Sequence, residues 1–170
     1  MVNLIINRKP VRVPDGTTIL EAARIAGINI PTLCFLKEIN EIGACRVCMV
    51  EIADKEALVA ACNTKVTEGM VVYTNSRKVQ IARKMNVQMI LSQHNANCPA
   101  CVRNGNCSLQ SLSASLNIGE LPFKREYDNN SWDRSFPFIR NNSKCIKCMR
   151  CVQICEKVQS LGIWDIVNTG

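Results

Sequence analysis

Residues 30–52 read IPTLCFLKEINEIGACRVCMVEI and hold three cysteines among apolar and small residues. The apolar positions of residues 31–47 follow neither a helical nor a strand period, which predicts an ordered loop. A fourth cysteine completes the spacing C-x10-C-x2-C-x13-C; the four are Cys34, Cys45, Cys48 and Cys62. Gly43 and Ala44 are small, which lets backbone amides approach a group bound beside them. The stretch therefore predicts a loop that binds a metal group through thiolates.

The segments on both sides of this loop predict a small α+β unit. Residues 2–13 alternate apolar and polar positions as two short strands, followed by a turn. Thr18 and Glu21 form a capping box that opens a helix over Ile19–Ala26, which a glycine ends. Further strands are predicted near 48–53 and 70–73. This order of elements suits a small sheet curled around one helix.

A second, helical unit is predicted after residue 75. Apolar residues spaced four apart predict an amphipathic helix over 76–93, with Ile81, Met85 and Met89 on its buried face. Its cations are expected on a solvated face; they are Arg77, Lys78, Arg83 and Lys84. The core is also the expected place of the methionines Met49, Met70, Met85 and Met89.

Beyond this helix the sequence predicts less regular structure. A short helix is predicted over 108–117 and is expected to stop at Gly119. Residues 119–143 contain prolines, asparagines and mixed charges, and they are interpreted as a connection.

The composition favours metal binding over disulfides. The 170 residues include 21 Lys plus Arg, 14 Asp plus Glu, and 11 cysteines. No apolar run approaches the roughly 18 residues of a membrane span, and the first ten residues do not resemble a secretory signal peptide. We therefore expect a cytoplasmic, reducing compartment, where clustered cysteines are more often metal ligands than disulfides.

The densest cysteine run, near the end of the chain, has the spacing C-x2-C-x2-C-x3-C. It consists of Cys145, Cys148, Cys151 and Cys155. This is the spacing of bacterial ferredoxins, whose fourth cysteine ligates a second cluster, whereas zinc sites usually combine two separated C-x2-C pairs. Glu156 replaces the proline of the ferredoxin run, and no cysteine follows. Either Cys155 completes one site or the chain is the front part of a longer protein; we favour the second interpretation.

The remaining group has three cysteines, Cys98, Cys101 and Cys107. His94, the one histidine of the sequence, stands four residues before the first of them. Because imidazole can replace thiolate on iron, we predict that His94 completes this site. The substitution makes the site one charge less negative and is expected to raise its potential. A hydrogen-bond acceptor is expected on the other ring nitrogen.

Four stretches together resemble the electron-transfer region of a known enzyme family. They are IPTLCFLKEINEIGACRVCMVEI, AACNT, SQHNANCPACVRNGNC and KCIKCMRCVQICEKVQ. In this order they are similar to the front end of iron-only (di-iron) hydrogenases. The same order occurs in the large iron–sulfur subunit of complex I and in NAD-linked formate dehydrogenases. The resemblance covers essentially the whole chain, and the His-x3-Cys-x2-Cys-x5-Cys group is its most specific part.

The resemblance implies an α+β chain of three domains. A plant-ferredoxin-like β-grasp domain, residues 1–75, would hold a 2Fe–2S cluster on Cys34, Cys45, Cys48 and Cys62. A small helical domain, residues 76–122, would hold a 4Fe–4S cluster on His94, Cys98, Cys101 and Cys107. Residues 138–170 are similar to the first half of a bacterial 4Fe–4S ferredoxin domain, with a further, incomplete cluster on Cys145, Cys148 and Cys151. Cys155 would then serve the absent neighbouring cluster.

The function that the resemblance implies is an electron relay, the N-terminal part or small subunit of an iron-only hydrogenase. Its partners would be a ferredoxin or a flavin- or NAD(P)H-linked protein, and a catalytic domain or subunit. The alternative is the electron-transfer part of a complex I-like NADH dehydrogenase or of a formate dehydrogenase. No cysteine follows Cys155 to hold a hydrogen-activating cluster, and the sequence has no dinucleotide fingerprint and no catalytic triad. No catalytic site is therefore expected within this chain.

A contrasting interpretation is a zinc-stabilised nucleic-acid-binding module, which the formal charge of +7 and the C-x2-C pairs admit. The aromatic residues make up 5% of the chain and are dispersed, which disfavours it. Three clusters with their thiolates add roughly −5 in charge and leave about +2. We therefore expect no nucleic-acid partner.

Overall fold

The computed structural model describes residues 1–126 and 141–165. They form two compact units, one of Met1–Ile81 with the described residues from Cys148 onward, the other of the described residues within Ala82–Lys147. The strands are β1 (Val2–Ile6), β2 (Lys9–Val13), β3 (Met49–Ile52), β4 (Val59–Ala60) and β5 (Val71–Tyr73). The helices are α1 (Ile19–Ile25), α2 (Arg77–Ser92), α3 (Ser108–Ser115) and α4 (Arg150–Lys157), with a 3-10 turn at Asn142–Lys144. No helix in the described ranges is long and apolar enough to cross a membrane.

The five strands form one sheet in the order β2-β1-β5-β3-β4. β1 and β2 make an antiparallel hairpin, and its turn residues Asn7 and Arg8 have φ of 48° and 69°, as a type I′ turn requires. β1 pairs with β5 in parallel, while β3 lies antiparallel to both β4 and β5. The strands predicted near 2–13, 48–53 and 70–73 are confirmed. β4 was not predicted because a two-residue strand carries no alternation.

Helix α1 packs into the core of this sheet and sets the starting point of the cysteine loop. The Glu21 amide donates to Thr18 Oγ1 at 3.3 Å, so the predicted cap is confirmed. The helix ends at Ile25, followed by Gly27 with φ of 72°. Its buried side chains Ile19, Leu20, Ala22 and Ala23 share one hydrophobic core with the inward-facing strand residues. Residues 31–47 then form no helix or strand, as predicted.

Helix α2 lies where it was predicted, but the prediction of its buried face was wrong. The buried row is Val79, Arg83, Val87 and Leu91. The predicted core residues Ile81, Met85 and Met89 are 55%, 50% and 46% exposed. The two rows start two residues apart, which is about 200° around a helix, so they lie on opposite faces. Arg83, expected on the solvated face, is buried because it belongs to the row that the valines define.

The predictions for the methionines and for the second helix of this unit were also right in part and wrong in part. Met70 is buried and Met49 packs against the core, whereas Met85 and Met89 are the two methionines placed wrongly. Helix α3 confirms the helix predicted over 108–117, but the chain leaves it at Leu116 and Asn117, which has φ of 49°, before Gly119 is reached. Residues 127–140, which include most of the predicted connection and the start of the predicted 138–170 domain, lie outside the described residues.

Candidate iron–sulfur sites

The first cysteine group is assembled by the loop after α1 and by the ends of β3 and β4. Cys34 lies on the loop that follows α1, Cys45 and Cys48 precede β3, and Cys62 follows β4. Cys34, Cys48 and Cys62 are at most 1% exposed, and Cys45 is half-buried. The structure therefore brings all four predicted residues into one unit, where Cys48 and Cys62 belong to the hydrophobic core.

The four thiols shift one another's pKa values in two pairs, Cys34 with Cys45 and Cys48 with Cys62. A hydrogen bond from the Cys34 thiol lowers the pKa of Cys45 to about 5, helped by the backbone amide of Val47. A hydrogen bond from the Cys62 thiol likewise lowers the pKa of Cys48 to about 7. The pKa of each donor rises, first because ionisation would break that bond and then because of burial. One sulfur in each pair is thus prepared as a thiolate, the form that binds iron.

A site of four cysteines can bind a zinc ion or a 2Fe–2S cluster, and the arrangement of the four thiols bears on which of these groups fits. The negative charge of Cys45 also raises the pKa of Cys62, so the two pairs lie within electrostatic range of each other. In residues 1–126 and 141–165, no three His, Cys, Asp or Glu side chains are placed to hold a single metal ion. Structural zinc needs four ligands on one ion, whereas four cysteines serve the two irons of a 2Fe–2S cluster. The two pairs that the pKa values define match two thiolates for each iron of a 2Fe–2S cluster.

The loop around Cys45 turns through left-handed residues. Gly43 has φ of 69°, and a Cβ there would lie 3.1 Å from Asn63 Nδ2. The small residue thus allows a close approach to Asn63, and the amides that donate to the Cys45 sulfur belong to Val47, Cys34 and Leu33. Backbone donors at a cysteine sulfur stabilise its anionic form.

The second group lies between the end of α2 and the start of α3. His94, Cys98 and Cys107 line one cavity of about 330 Å³, with apolar walls that include Leu91 and Leu109. Cys101, the fourth predicted ligand, is half-buried, and its amide donates to the Cys98 carbonyl at 3.0 Å, but it is not among the lining residues. The structure therefore brings three of the four predicted residues to the cavity.

His94 has the properties of a neutral ligand. Burial lowers the pKa of its imidazole, and the positive charge of Lys144 lowers it further. His94 Nδ1 is buried and has no hydrogen-bond partner among residues 1–126 and 141–165, so the acceptor expected on a ring nitrogen is not found at this atom within those ranges. A buried, unpartnered nitrogen beside two cysteines fits a metal ligand, since buried polar atoms otherwise find partners.

The third group is divided between the two units. Cys145 belongs to the helical unit, where its sulfur accepts a hydrogen bond from the Lys147 amide at 3.3 Å. Cys148, Cys151 and Cys155 belong to the unit of the sheet. Cys151 and Cys155 stand one turn apart on α4, and they differ in environment because Cys151 is exposed whereas Cys155 is buried.

The residues that the sequence did not reveal are polar donors to the cysteine loops. Asn40, Lys144 and Arg150 each donate side-chain hydrogen bonds to backbone carbonyls of a predicted site loop. Lys144 and Arg150 flank cysteines, which is a weak signal in the sequence. Asn40 carries none, because its role depends on a contact with residue 148.

Known proteins match both parts of the chain. The 2Fe-2S iron-sulfur cluster binding domain family matches residues 1–77, and the NADH-ubiquinone oxidoreductase-G iron-sulfur binding region matches residues 83–122. The first match includes all four cysteines of the first group, and the second match includes His94 and the three cysteines of the second group.

Relatives that contain both parts are oxidoreductase subunits. The chain is 40% identical to NADP-reducing hydrogenase subunit HndD of Solidesulfovibrio fructosivorans, over 100% of this chain and 30% of the relative. It is 33% identical to the NADH-ubiquinone oxidoreductase 75 kDa subunit of Reclinomonas americana, over 100% of this chain and 24% of the relative. The chain thus spans less than a third of these relatives.

A solved structure shows the same arrangement of elements. The crystal structure of an NAD+-reducing NiFe-hydrogenase in the H2-reduced state matches with a TM-score of 0.87 and 28% identity, covering 99% of this chain and 71% of that chain. The fold is thus a 2Fe–2S ferredoxin-like domain with a 4Fe–4S binding region. The chain carries the 2Fe–2S and His-Cys 4Fe–4S region that hydrogenase subunit HndD shares with the 75 kDa subunit of NADH-ubiquinone oxidoreductase, and it is an iron–sulfur electron-transfer module.

Proposed function

We propose that the chain is an electron relay of a larger oxidoreductase and that it has three cluster sites. The paired thiols support the first site, and the cavity beside His94 supports the second. A 2Fe–2S cluster would be held by two thiolates per iron, one pair being Cys34 with Cys45 and the other Cys48 with Cys62. A 4Fe–4S cluster would be held by His94, Cys98, Cys101 and Cys107. The observation that carries the proposal is the placement of all four cysteines in one unit, three of them buried, within the residues that the 2Fe-2S family matches.

The third site is proposed on the ferredoxin spacing. Cys145, Cys148 and Cys151 would hold a further 4Fe–4S cluster, and Cys155 either completes it or serves a neighbouring one. The burial of Cys155 against the exposure of Cys151 supports a separate role for Cys155. The domains proposed are residues 1–75, with the β-grasp order of strands, 76–122 and 138–170.

The residues of the chain perform three tasks in this function. When bound, the clusters supply one-electron acceptance and release. Cys45 and Cys48 have lowered pKa values and present thiolates at neutral pH. The buried side chains around Cys34 and Cys62 keep water from the sulfurs, and the neutral His94 imidazole holds its site one charge less negative than four thiolates would.

The enzyme in which this relay works is proposed from the relatives. The match to HndD supports an iron-hydrogenase, in which the chain would pass electrons between a ferredoxin or a flavin- or NAD(P)H-linked partner and a catalytic domain. The match to the 75 kDa subunit supports the alternative, a complex I-like NADH dehydrogenase. Purification of the chain with its native partners separates the two, because a hydrogen-activating subunit favours the first and a quinone-linked assembly favours the second.

The cluster assignment is tested by counting iron and zinc in the chain after anaerobic purification. We expect about 10 iron atoms per chain with all three sites filled, and about 6 with the third site empty. The Cys62→Ser variant should lose about two iron atoms and keep the others, because only one two-iron cluster depends on it. Stoichiometric zinc without iron would contradict the proposal and favour the zinc-stabilised module.

A further inference from the structure

Within the helical unit, a lysine side chain is hydrogen-bonded to the segment that joins His94 to Cys98. Lys144 Nζ donates to the Asn95 carbonyl at 2.8 Å and to the Asn97 carbonyl at 3.3 Å. An ammonium group carries three protons, so it can make both bonds at once. The two carbonyls lie 49 and 47 positions before Lys144 in the sequence. The lysine therefore ties this segment to a distant part of the chain.

The turn that carries Lys144 is itself held in place. It is the 3-10 turn Asn142–Lys144, and Asn141 caps it. Asn141 Oδ1 accepts hydrogen bonds from the Ser143 amide at 3.1 Å and from the Ser143 hydroxyl at 2.8 Å, and Ser143 is buried. The Ser143 carbonyl accepts a further hydrogen bond from the Asn95 amide at 2.8 Å. Backbone and side-chain bonds thus join the same turn to the same segment.

The ammonium of Lys144 also brings a positive charge to the His94 site. Burial lowers the pKa of the His94 imidazole and the charge of Lys144 lowers it further, so the two side chains lie within electrostatic range of each other. His94 lines one cavity together with Cys98 and Cys107. A positive charge beside a redox group favours its reduced, more negative state. A neutral donor at position 144 could make the hydrogen bonds without this second effect.

The other loop of this site is held by a neutral side chain. Gln110 on α3 accepts a hydrogen bond from the Gly105 amide at 3.0 Å through Oε1, and donates to Asn104 Oδ1 at 2.9 Å through Nε2. Both partners lie in the loop between the last two cysteines of the group. Because one loop is tied by a charged side chain and the other by a neutral one, the two effects of Lys144 can be separated by experiment.

We propose that Lys144 is a positioning residue for the 4Fe–4S group at His94: it holds residues 95–97 in place, and its charge raises the reduction potential of that group. This inference rests on the proposed function and goes beyond it, because Lys144 is not one of the proposed ligands. In the reduction concerned, one electron passes from an added reduced viologen to the group. The viologen is oxidised as the group is reduced, and no bond or proton moves.

The hold on the segment is tested by amide hydrogen exchange on the full, iron-loaded chain under anaerobic conditions. In Lys144→Gln, residues 95–98 should exchange roughly tenfold faster than in the wild type, because charge-assisted hydrogen bonds are lost. Lys144→Arg keeps the charge and the donors, and it should exchange like the wild type. In Gln110→Ala the increase should appear in the loop 102–106 and not in residues 95–98.

The effect of the charge is tested by a redox titration followed by EPR, using the signal that shifts in His94→Cys. In Lys144→Gln, the ratio of reduced to oxidised group at a fixed potential should fall roughly fivefold. Lys144→Arg should keep the wild-type ratio, and Gln110→Ala should change it far less than Lys144→Gln does, because no charge is lost.

Lys84→Gln is the control for net charge. Lys84 lies on α2, about 12 Å along the helix before its end at Ser92, which is more than the screening length of about 8 Å at physiological ionic strength. The variant removes one positive charge from the chain, as Lys144→Gln does, but it should leave the ratio unchanged.

Three results would overturn the inference. They are unchanged exchange of residues 95–98 in Lys144→Gln, an unchanged potential despite faster exchange, and an equal fall of the potential in Lys84→Gln. If Lys144→Gln loses the iron of this site, Asn141→Ala decides instead, because it removes the cap of the turn and keeps the ammonium. Faster exchange of residues 95–98 with a lower potential in that variant supports the inference, and any other result refutes it.

Failure of the proposed function looks different. The wild type itself would then give no 4Fe–4S signal that responds to His94→Cys. The exchange measurement would still report whether Lys144 holds residues 95–97, but its role toward a bound group would be rejected.

Discussion

At the scale of single residues, neighbouring groups shift the pKa values of proposed ligands toward the form that binds iron. Cys45 and Cys48 each accept a hydrogen bond from a second cysteine, and both have a lowered pKa. The pKa of His94 is also lowered, but the causes are burial and the positive charge of Lys144, which favour the neutral imidazole. Cysteine spacing could predict that the four cysteines of the first group lie in one unit. The pairing within this group depends on the folded loop and could not be predicted.

The replacement His94→Cys tests whether the imidazole is a ligand. A thiolate in its place adds one negative charge, so the iron content should be kept and the potential of this cluster should fall. A redox titration followed by EPR measures the shift. The control is Gln93→Cys, which adds a thiol at the exposed neighbouring position and should leave the potential unchanged. An equal potential in His94→Cys and the wild type would exclude ligation by His94.

The lowered pKa of His94 also predicts how its cluster responds to acid. Protonated imidazole cannot bind iron, so a lowered pKa keeps His94 a ligand as the pH falls below the ordinary value near 6.5. In Lys144→Gln the pKa rises, and the cluster should be released at a higher pH than in the wild type. Lys144→Arg keeps the charge and should behave like the wild type. Iron release followed by absorbance during stepwise acidification measures the effect, and identical release curves for all three proteins would refute it.

At the scale of elements, prediction succeeded where local signals agreed and failed where packing decided. The hairpin and α1 carry their own alternation, turn and cap, so their positions could be predicted closely. Helix α2 presents two apolar rows, Val79–Val87–Leu91 and Ile81–Met85–Met89, and the sequence alone does not say which one is buried. The valine row is buried although it includes Arg83, because contacts with the rest of the protein determine which face of α2 is buried.

A matched pair of substitutions checks this assignment of the α2 faces. Val87→Ala removes buried methyl groups from a side chain that is 0% exposed and should destabilise the chain by about 2 kcal/mol. Met85→Gln, on the exposed face, should change the free energy of unfolding by less than about 0.5 kcal/mol. Urea unfolding of the anaerobically purified chain compares the two. A larger loss for Met85→Gln than for Val87→Ala would restore the face that the periodicity predicted.

At the scale of the whole molecule, one chain combines two cluster-binding parts that match known families. The 2Fe-2S family matches residues 1–77 and the NADH-ubiquinone oxidoreductase region matches residues 83–122, so each part is related to known proteins at its own cysteine group. The formal charge of +7 suggested nucleic acid at first sight, but bound clusters would offset most of it. The sequence divides eleven cysteines and one histidine into three sets of four. The structure places the first set in one unit and three members of the second set at one cavity, whereas the third set stays a prediction.

The central claim is that the chain holds separate clusters at Cys34–Cys62 and at His94–Cys107. EPR spectroscopy during stepwise reduction of the anaerobically purified chain tests it most directly. We predict a 2Fe–2S signal that disappears in Cys62→Ser, and a distinct 4Fe–4S signal whose potential falls in His94→Cys while the 2Fe–2S signal stays unchanged. A fully iron-loaded chain that gives one signal, altered alike by both substitutions, would contradict the account.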